Sequence, residues 1–474
     1  MQASEAIKIQ PVAPTLMAHQ VEALEFLSSR PQAGLFFQMG LGKSLIMLEH
    51  LSRITHLGPF PCLIVCPLSV VSVWEREVEK FGYPYRVTKL LGTYKERVKK
   101  LEEDADIFVI NYEGLRVLKD VLYMHVFRTM IQDESHRTKE RTSQQTSVAL
   151  DLGTRIPFRY ILTGTPVTKS PEDVWTQLHF IKPGHLGNFW AFRANHIEYK
   201  TITVRAPGGY RDIKKPYRYK NLKQLEAKLG EVCLRRTKAE CLDLPEKIYK
   251  VIDCPLSDEQ TKHYYSLKAS LVTLLGENND DKLMVSHAAT LVQKLQQICQ
   301  GFIYKAEREP VYFKKNTKLE MLKDLLKDIG DERIILYTWY KAEIEQLSKE
   351  LQGDDRKVLV YDGSSDERQR IVDEFQAAEG QTIFLSNIEK AKEGITLTAA
   401  NHVIYYGNTY NYGSRVQSED RAHRHGQKKN VIYYDLVCPR TVDEVVRVIL
   451  RMKEKSADAI TGDSLRIAKM VVEA

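Results

Sequence analysis

The sequence lacks several features that would mark a secreted, membrane-bound or zinc-binding protein. Its 7 cysteines are scattered and form no Cys-x-x-Cys pair, which argues against a zinc site or a disulfide framework. The first residues contain no apolar signal-peptide core, and no stretch approaches the roughly 20 apolar residues of a membrane span. There is no internal repeat, low-complexity tract or long linker. We therefore expect a soluble, intracellular protein without a membrane partner.

The composition that remains is that of an ordinary globular protein. The chain has 474 residues, of which 43% are hydrophobic and 28% are charged. At about 150 residues per domain, this length predicts about three structural units. The formal net charge of +7 permits a polyanionic partner but does not require one.

Short, continuous apolar runs alternate with helical patterns in both halves of the chain. Examples are CLIVC at 62–66, IFVI at 107–110, IILY at 334–337 and VIYY at 403–406. Such runs predict parallel sheets that are covered by helices on both faces. The region between the two series is rich in Lys, Tyr, Leu and Gln and reads as mostly helical. The expected domains are an N-terminal lobe at 1–185, a helical insertion at 186–315 and a C-terminal lobe at 316–474.

The strongest local signal is MGLGKS at 39–44, between an apolar stretch and a helical pattern. A phosphate-binding loop needs this setting, because backbone N–H groups and a helix N-terminus then face the phosphates. Lys43 would reach the β- and γ-phosphates of ATP, and Ser44 would ligate Mg²⁺. Phe37 stands where the full pattern has its first glycine. The expected nucleotide-contacting residues are Met39, Gly40, Leu41, Gly42, Lys43 and Ser44.

An acidic pair, Asp133 and Glu134, follows a predicted strand. A carboxylate at a strand end can hold Mg²⁺, and its neighbour can act as base toward the attacking water. We assign Asp133 to the metal and Glu134 to the water, with an exposed acidic turn as the alternative. Upstream, Gln20 is a candidate for pairing with the edge of adenine. The alternative there is a solvated glutamine at a helix start.

A third group of candidates lies in QSEDRAHRHGQ at 417–427. Arg421 and Arg424 are three residues apart, which predicts that they share one helix face. An arginine finger stabilises charge on the γ-phosphate and contributes roughly 10³–10⁵ in rate in other nucleotidases. We assign both arginines to catalysis. An ordinary basic helix, paired by Glu419 and Asp420, is the alternative.

Together these motifs resemble the Swi/Snf-type ATPases of helicase superfamily two, from about residue 16 to about residue 437. MGLGKS, DESH and QSEDRAHRHGQ are similar to family motifs I, II and VI, and LTGTPVTKSPEDVW at 162–175 is similar to motif III. LRRTKAECLDLPEK at 234–247 is the most family-specific segment. The resemblance implies an α/β fold with two RecA-like parallel-sheet lobes, a mostly helical insertion between them and an ATP cleft.

The resemblance also implies roles for residues outside the nucleotide site. Residues that would couple hydrolysis to movement are Thr163, Gly164, Thr165 and Gln417. Residues that would line a nucleic-acid track are Ser69, Asn111, Tyr112 and Trp339.

Three departures from the family pattern stand out. Gln38 replaces an acid before the phosphate loop, and the segment 390–397 lacks the paired glycines of motif V. Tyr410-Asn411-Tyr412 replaces Trp-Asn-Pro before motif VI. None of these removes a catalytic group, so the resemblance implies an active ATPase from a divergent branch. Chromatin-reader modules are missing from the sequence, which is compatible with a bacterial or viral enzyme of cytoplasm or nucleoid.

Basic residues cluster at 95–100 and at 211–223, and tyrosines interleave the second cluster. That mixture is typical of nucleic-acid surfaces, and a solvated loop is the equal alternative. The leading expectation is an ATP- and Mg²⁺-dependent motor that translocates on double-stranded DNA and displaces or remodels bound proteins. Its partners would include a DNA-bound protein or a targeting protein. A strand-separating DNA or RNA helicase and a non-catalytic, nucleotide-gated DNA clamp stay open.

Overall fold

Two parallel sheets organise the protein in a computed structural model. The residues that the structure describes are 15–164, 166–167, 170–206, 209–276, 282–305, 309–353, 356–361, 368–390, 395–455 and 470–472. Internal contacts divide the chain into two units. Unit 1 comprises Met1–Lys200 and Lys215–Asp243, and unit 2 comprises Thr201–Lys214 and Leu244–Ala474. Among the described residues, no helix has the length and apolar character needed to cross a bilayer.

The strands are short, as expected for alternating α/β structure. In chain order they are β1 Gln32–Phe37, β2 Cys62–Cys66, β3 Val87–Lys89, β4 Ile107–Asn111, β5 Thr129–Asp133, β6 Phe158–Leu162, β7 Ile197–Ala206, β8 Gly209–Tyr219, β9 Cys233–Arg236, β10 Lys247–Asp253, β11 Phe302–Tyr304, β12 Pro310–Tyr312, β13 Arg333–Thr338, β14 Lys357–Tyr361, β15 Thr382–Asn387, β16 His402–Tyr405 and β17 Val431–Val437.

Helices alternate with these strands through most of the chain. They are α1 Ala18–Ser28, α2 Lys43–Arg53, α3 Val71–Lys80, α4 Tyr94–Leu101, α5 Tyr112–Val117, α6 Lys119–Met124, α7 Gln144–Gly153, α8 Glu172–Ile181, α9 Phe189–His196, α10 Leu222–Val232, α11 Lys238–Cys241, α12 Asp258–Gly276, α13 Lys282–Cys299, α14 Thr317–Ile329, α15 Lys341–Glu350, α16 Arg368–Ala377, α17 Tyr412–Ala422 and α18 Val442–Lys455. Short 3₁₀ turns occur at Thr55–Leu57, Leu68–Val70 and Ser135–Thr138.

The sheet of unit 1 has the order β3-β4-β2-β5-β6-β1-β9, and all its neighbouring strands run parallel. Strand β6 therefore lies between β1 and β5. Leu162 near its end is level with Leu35 of β1 and with Asp133 of β5. This register brings the carboxyl ends of three strands to one edge, where open α/β sheets bind ligands.

The sheet of unit 2 has the order β10-β17-β16-β13-β15-β14 and is also parallel throughout. Two α/β lobes with parallel sheets are thus present, which confirms the predicted fold class. The continuous apolar runs have a simple cause in this arrangement. In β2, for example, Leu63 and Val65 pack into one hydrophobic cluster, while Ile64 and Cys66 pack into another. Helices cover both faces, so every position of the strand is buried.

The segment 186–315 contains long helices, with α12 and α13 the longest among its described residues. It also contains the antiparallel hairpin of β7 and β8, and it supplies β9 to the first sheet and β10 to the second. The three-part domain division stays a prediction. The strands in this segment were missed because LRR and KIYK are too polar to match the apolar runs of the central strands.

Candidate functional site

The loop between β1 and α2 has the geometry of a phosphate-binding loop. Gly40 and Gly42 have φ angles of 85° and 77°, in the left-handed region that favours glycine. Gly42 is the N-cap of α2, and Lys43 is its first residue. The Lys43 Nζ donates to the carbonyl oxygen of Phe37 at 2.9 Å. The side chain therefore lies back across the loop, where a phosphate chain would run.

Gln20 supports this loop from α1. Its Oε1 accepts from the Met17 backbone N–H at 3.0 Å, and its Nε2 donates to the Leu41 carbonyl at 3.5 Å. The side chain is so close that a Cβ added to Gly42 would lie 2.4 Å from the Gln20 Nε2. The role of Gln20 in pairing with adenine stays a prediction. The structure gives this residue a second task, which is to brace the loop.

A cleft of about 590 Å³ lies beside Gln20. Its lining residues are Ala18, His19, Glu22, Arg236, Glu240 and Cys241. Arg236 closes one side through a salt bridge in which its Nε lies 2.8 Å from the Glu22 Oε2. The ring of His19 lies 3.1 Å from the Leu41 carbonyl, and burial lowers the pKa of this histidine. The sequence flagged the LRRTK segment as family-specific but gave no hint that Arg236 lines a cleft next to the phosphate loop.

Gln38, which replaces the family's usual acid, connects the loop to the same segment. Its Oε1 accepts from the Lys238 backbone N–H at 2.8 Å, and the Gln38 backbone N–H donates to the Arg236 carbonyl at 3.1 Å. An amide oxygen accepts a hydrogen bond as a carboxylate does. The departure from the family pattern therefore keeps the acceptor at this position and removes only its negative charge.

Strand β5 ends at Asp133, and Glu134 follows in the left-handed conformation with a φ of 55°. Two side chains fix this turn: the Tyr112 hydroxyl donates to the Asp133 carbonyl at 2.7 Å, and the Trp74 Nε1 donates to the Asp133 Oδ2 at 3.3 Å. Burial, and then the charge of Glu134, raise the pKa of Asp133 to about 6, while Lys43 acts in the opposite direction. Lys43 and the acidic pair thus belong to one electrostatic site.

His136 connects this site to the end of β6. Its Nδ1 lies 3.3 Å from the Glu134 Oε2 and 3.1 Å from the Thr163 Oγ1. Thr163 is fully buried, and its backbone N–H donates to a carbonyl of β1 at 3.1 Å. A Cβ built on Gly164 would lie 3.3 Å from the carbonyl oxygen of the last residue of β1. The structure therefore brings together the predicted nucleotide, acidic and coupling residues of unit 1, apart from Thr165, which lies outside the described residues.

The expected track residues of unit 1 occupy different environments. Ser69 is half-buried in a 3₁₀ turn, and the buried Asn111 accepts from the Arg97 Nη1 at 3.4 Å through its Oδ1. Tyr112 is only 4% exposed. A residue that contacts a nucleic acid needs an exposed surface, so the burial of both side chains contradicts a direct track role for Asn111 and for Tyr112. Its aromatic ring belongs to the core because α5 packs it beneath the turn at Asp133.

In unit 2 the predicted helix-face arrangement of the two arginines is wrong. Helix α17 ends at Ala422, so Arg424 lies beyond the helix. The chain leaves the helix at His423, whose ψ of 81° is not helical, and the Arg421 carbonyl accepts from the Leu397 N–H at 3.0 Å. Both guanidinium groups still meet at one point, since each donates to the Ile395 carbonyl, at 3.5 and 3.3 Å. Arg421 is buried and Arg424 is half-buried, so Arg424 is the more accessible of the pair.

The remaining candidates of unit 2, Gln417 and Trp339, are both half-buried. Gln417 is half-buried on α17, whose N-cap Asn411 accepts from the Ser414 N–H at 3.3 Å. Trp339 directly follows β13, and its backbone N–H donates to the Glu343 Oε2 at 2.6 Å. The predicted departure in motif V falls mainly on 391–394, outside the described residues.

Comparison with known proteins identifies the family of this chain. A glycine loop before a helix and an acidic strand end, on a parallel sheet, are typical of α/β proteins that bind nucleotide phosphates. The SNF2-related domain matches residues 19–302, and the helicase conserved C-terminal domain matches residues 317–426. Because the first match alone covers more than half of the sequence, the chain belongs to the SNF2-related family.

Two relatives of this chain are considerably longer than the chain itself. The ATP-dependent helicase fft1 of Schizosaccharomyces pombe is 28% identical over 519 residues, covering 96% of this chain and 54% of that protein. The putative ATP-dependent helicase/translocase YwqA of Bacillus subtilis is 26% identical, covering 94% and 49%. The chain thus spans about half the length of these relatives. The solved SWI2/SNF2 ATPase core of Sulfolobus solfataricus in complex with dsDNA is 25% identical, with coverage of 98% and 97% and a TM-score of 0.44.

The bracing of the loop by Gln20 predicts the effect of Gly42→Ala. An L-residue at a left-handed φ costs roughly 1–2 kcal/mol, and the new Cβ would also push Gln20 off the loop. We expect the affinity for a fluorescent ATP analogue to fall at least about tenfold, or about 1.4 kcal/mol, because the displaced Gln20 no longer holds the loop in its phosphate-binding conformation.

Gly58→Ala is the matched control, since Gly58 has a φ of 64° and no atom within 4 Å of an added Cβ. It carries the same backbone strain without the collision, so we expect a loss of stability with unchanged nucleotide affinity. Wild-type nucleotide affinity in Gly42→Ala would contradict the bracing role of Gln20.

Proposed function

We propose that this chain is an ATP-hydrolysing motor that translocates on double-stranded DNA and displaces or remodels proteins bound to it. One observation carries the proposal. In unit 1, the charge of Lys43 acts to lower the pKa of Asp133, and His136 lies within contact distance of both Glu134 and Thr163. Membership of the SNF2-related family supports the same function, and so do the relatives, which are a helicase and a putative helicase/translocase.

The proposed roles follow from the chemistry of each side chain. Lys43 neutralises charge on the β- and γ-phosphates, and the amides of the loop bind their oxygens. Ser44 and Asp133 offer a hydroxyl and a carboxylate, the hard oxygen ligands that suit Mg²⁺. The ion, when bound, supplies positive charge to the phosphate oxygens. Glu134 orients the attacking water and accepts its proton.

Coupling to movement is proposed to pass through His136. A change in the charge of Glu134 alters what the imidazole nitrogen at 3.3 Å can accept or donate, and the same ring contacts Thr163. Thr163 and Gly164 follow β6, whose position between β1 and β5 lets it respond to both. Gln417 from unit 2 and the track residues Ser69 and Trp339 complete the proposed machinery.

Glu134→Gln tests the motor directly. ATP hydrolysis is measured alone and with blunt duplex DNA, single-stranded DNA or RNA. We expect duplex DNA to stimulate the wild-type enzyme most strongly, because the proposed track is the duplex. Glu134→Gln should lower that rate at least about 100-fold while the affinity for ATP persists, since the amide cannot accept a proton. Lys43→Ala should lose both binding and turnover.

The same measurement separates the competing functions. Stimulation confined to single strands or RNA would contradict the duplex motor and favour a strand-separating helicase. No turnover under any condition would favour a nucleotide-gated clamp. Displacement of a protein roadblock from duplex DNA by the wild type, and its failure in Glu134→Gln, is the expected outcome for the remodelling step.

Arg424→Ala tests the proposed arginine finger. Arg424 is the more accessible arginine, so we propose that it stabilises the γ-phosphate during transfer, while the buried Arg421 positions the segment. We expect turnover to fall about 10³-fold with ATP affinity little changed, because a finger acts on the transition state. Normal turnover in Arg424→Ala, measured at saturating ATP and DNA, would rule out this assignment.

A further inference from the structure

Residues 189–223 carry a high density of net positive charge, and this segment has no role in the proposed motor. The segment contains nine lysines and arginines and two acidic residues, a formal balance of +7. The whole chain also carries +7, so the rest of the sequence is formally neutral. Positive charge that is gathered in one segment creates a local field that attracts polyanions.

Both ends of this segment, 189–200 and 215–223, belong to unit 1 and are hydrogen-bonded to each other at the base of the β7–β8 hairpin. The Lys220 N–H donates to the His196 carbonyl at 3.0 Å, and the Asn221 Nδ2 donates to the Asn195 carbonyl at 3.0 Å. These bonds tie the end of the hairpin to the end of α9. We define the hairpin surface by the described side chains Trp190, Lys200, Tyr217, Arg218, Lys220 and Lys223. The side chains of Tyr210, Arg211, Lys214 and Lys215 lie outside the described residues.

The cations of the hairpin surface are available to a ligand. In the part of the chain that the structure describes, no carboxylate lies within ion-pair distance of the four basic side chains, Lys200, Arg218, Lys220 and Lys223. Neighbouring Arg193 differs, because its Nε lies 2.8 Å from the Glu172 Oε1. Because these four charges have no acidic partner among the described residues, bound phosphates would supply the opposite charge.

Two aromatic rings on the hairpin surface are unusually exposed. Tyr217 is 71% exposed and Trp190 is 64% exposed. The Lys200 Nζ lies 6.0 Å from the centre of the Tyr217 ring, and the Arg193 guanidinium lies 5.6 Å from that of Trp190. Exposed aromatics beside cations are the combination with which proteins bind unpaired nucleic-acid bases, since each base can stack on a ring.

We infer that the hairpin surface binds nucleic acid where a single strand adjoins a duplex. Lys200, Arg218, Lys220 and Lys223 contact phosphates, and Trp190 and Tyr217 stack on unpaired bases. The inference rests on the proposed function for the identity of the polyanion. It adds a preference that duplex translocation alone does not require.

The test measures equilibrium binding without ATP, by fluorescence anisotropy of labelled blunt duplex, tailed duplex and single strand across a range of salt concentrations. In the first variant, Lys200, Arg218, Lys220 and Lys223 are all changed to Gln. We expect its affinity for the tailed duplex to fall at least tenfold at low salt. The slope of log affinity against log salt should become shallower by about 3, since each lost phosphate contact removes about 0.7–0.9.

The second variant changes Trp190 and Tyr217 to Ser. We expect it to lose about fivefold or more in affinity for the tailed duplex and the single strand, and to bind the blunt duplex as the wild type does. The matched control changes Lys323, Lys327, Lys341 and Lys357 to Gln, which removes the same charge from exposed lysines that pair with acids. Its affinities should change by less than about twofold.

Wild-type affinity and salt slope in the first variant, or an equal loss in the control, would overturn the inference. Equal loss on blunt and tailed duplex in the second variant would also contradict it. Because binding is measured without turnover, the outcome is separable from that of the motor. A hairpin variant that loses binding supports the surface even where DNA fails to stimulate ATP hydrolysis.

Discussion

The position of β6 between β1 and β5 is the constraint on which the candidate site depends. A parallel sheet brings the carboxyl ends of its strands to one edge, and here those ends carry the phosphate loop, Thr163 and the acidic pair. A shift of one residue in either pairing would turn these side chains to the wrong face of the sheet. The apolar runs of β1, β5 and β6 therefore position the chemistry as well as forming the core.

Burial gives the contacts at this edge their strength. Asp133, Thr163 and Tyr112 are nearly inaccessible to water. In the protein interior, hydrogen bonds are electrostatically stronger than in water, and a polar group without a hydrogen-bond partner is costly. The raised pKa of Asp133 reports the same environment, because burial disfavours its charged form. Trp74 and Tyr112 carry no catalytic chemistry, yet they set the orientation of the Asp133 carboxylate and of the turn that follows it.

Much of this arrangement could be predicted from local sequence, because a glycine loop before a helix and an acidic strand end are short-range patterns. The two parallel sheets followed from runs such as CLIVC and IILY for the same reason. Long-range placement could not be predicted. The spacing of Arg421 and Arg424 does not reveal that α17 ends between them at Ala422, or that the Arg421 carbonyl accepts from the Leu397 N–H. The local sequence around Tyr112 likewise does not predict its burial, because that burial depends on how α5 packs.

Thr163→Val tests whether Thr163 transmits the state of the acidic pair through His136. The measurement is the ratio of duplex-stimulated to basal ATP hydrolysis. Thr129→Val is the control, because it removes an equally buried hydroxyl, bonded to the Pro59 carbonyl at 2.6 Å, from the far end of β5. We expect Thr163→Val to keep basal hydrolysis and lose stimulation, whereas the control keeps both. Full stimulation in Thr163→Val would contradict this expectation.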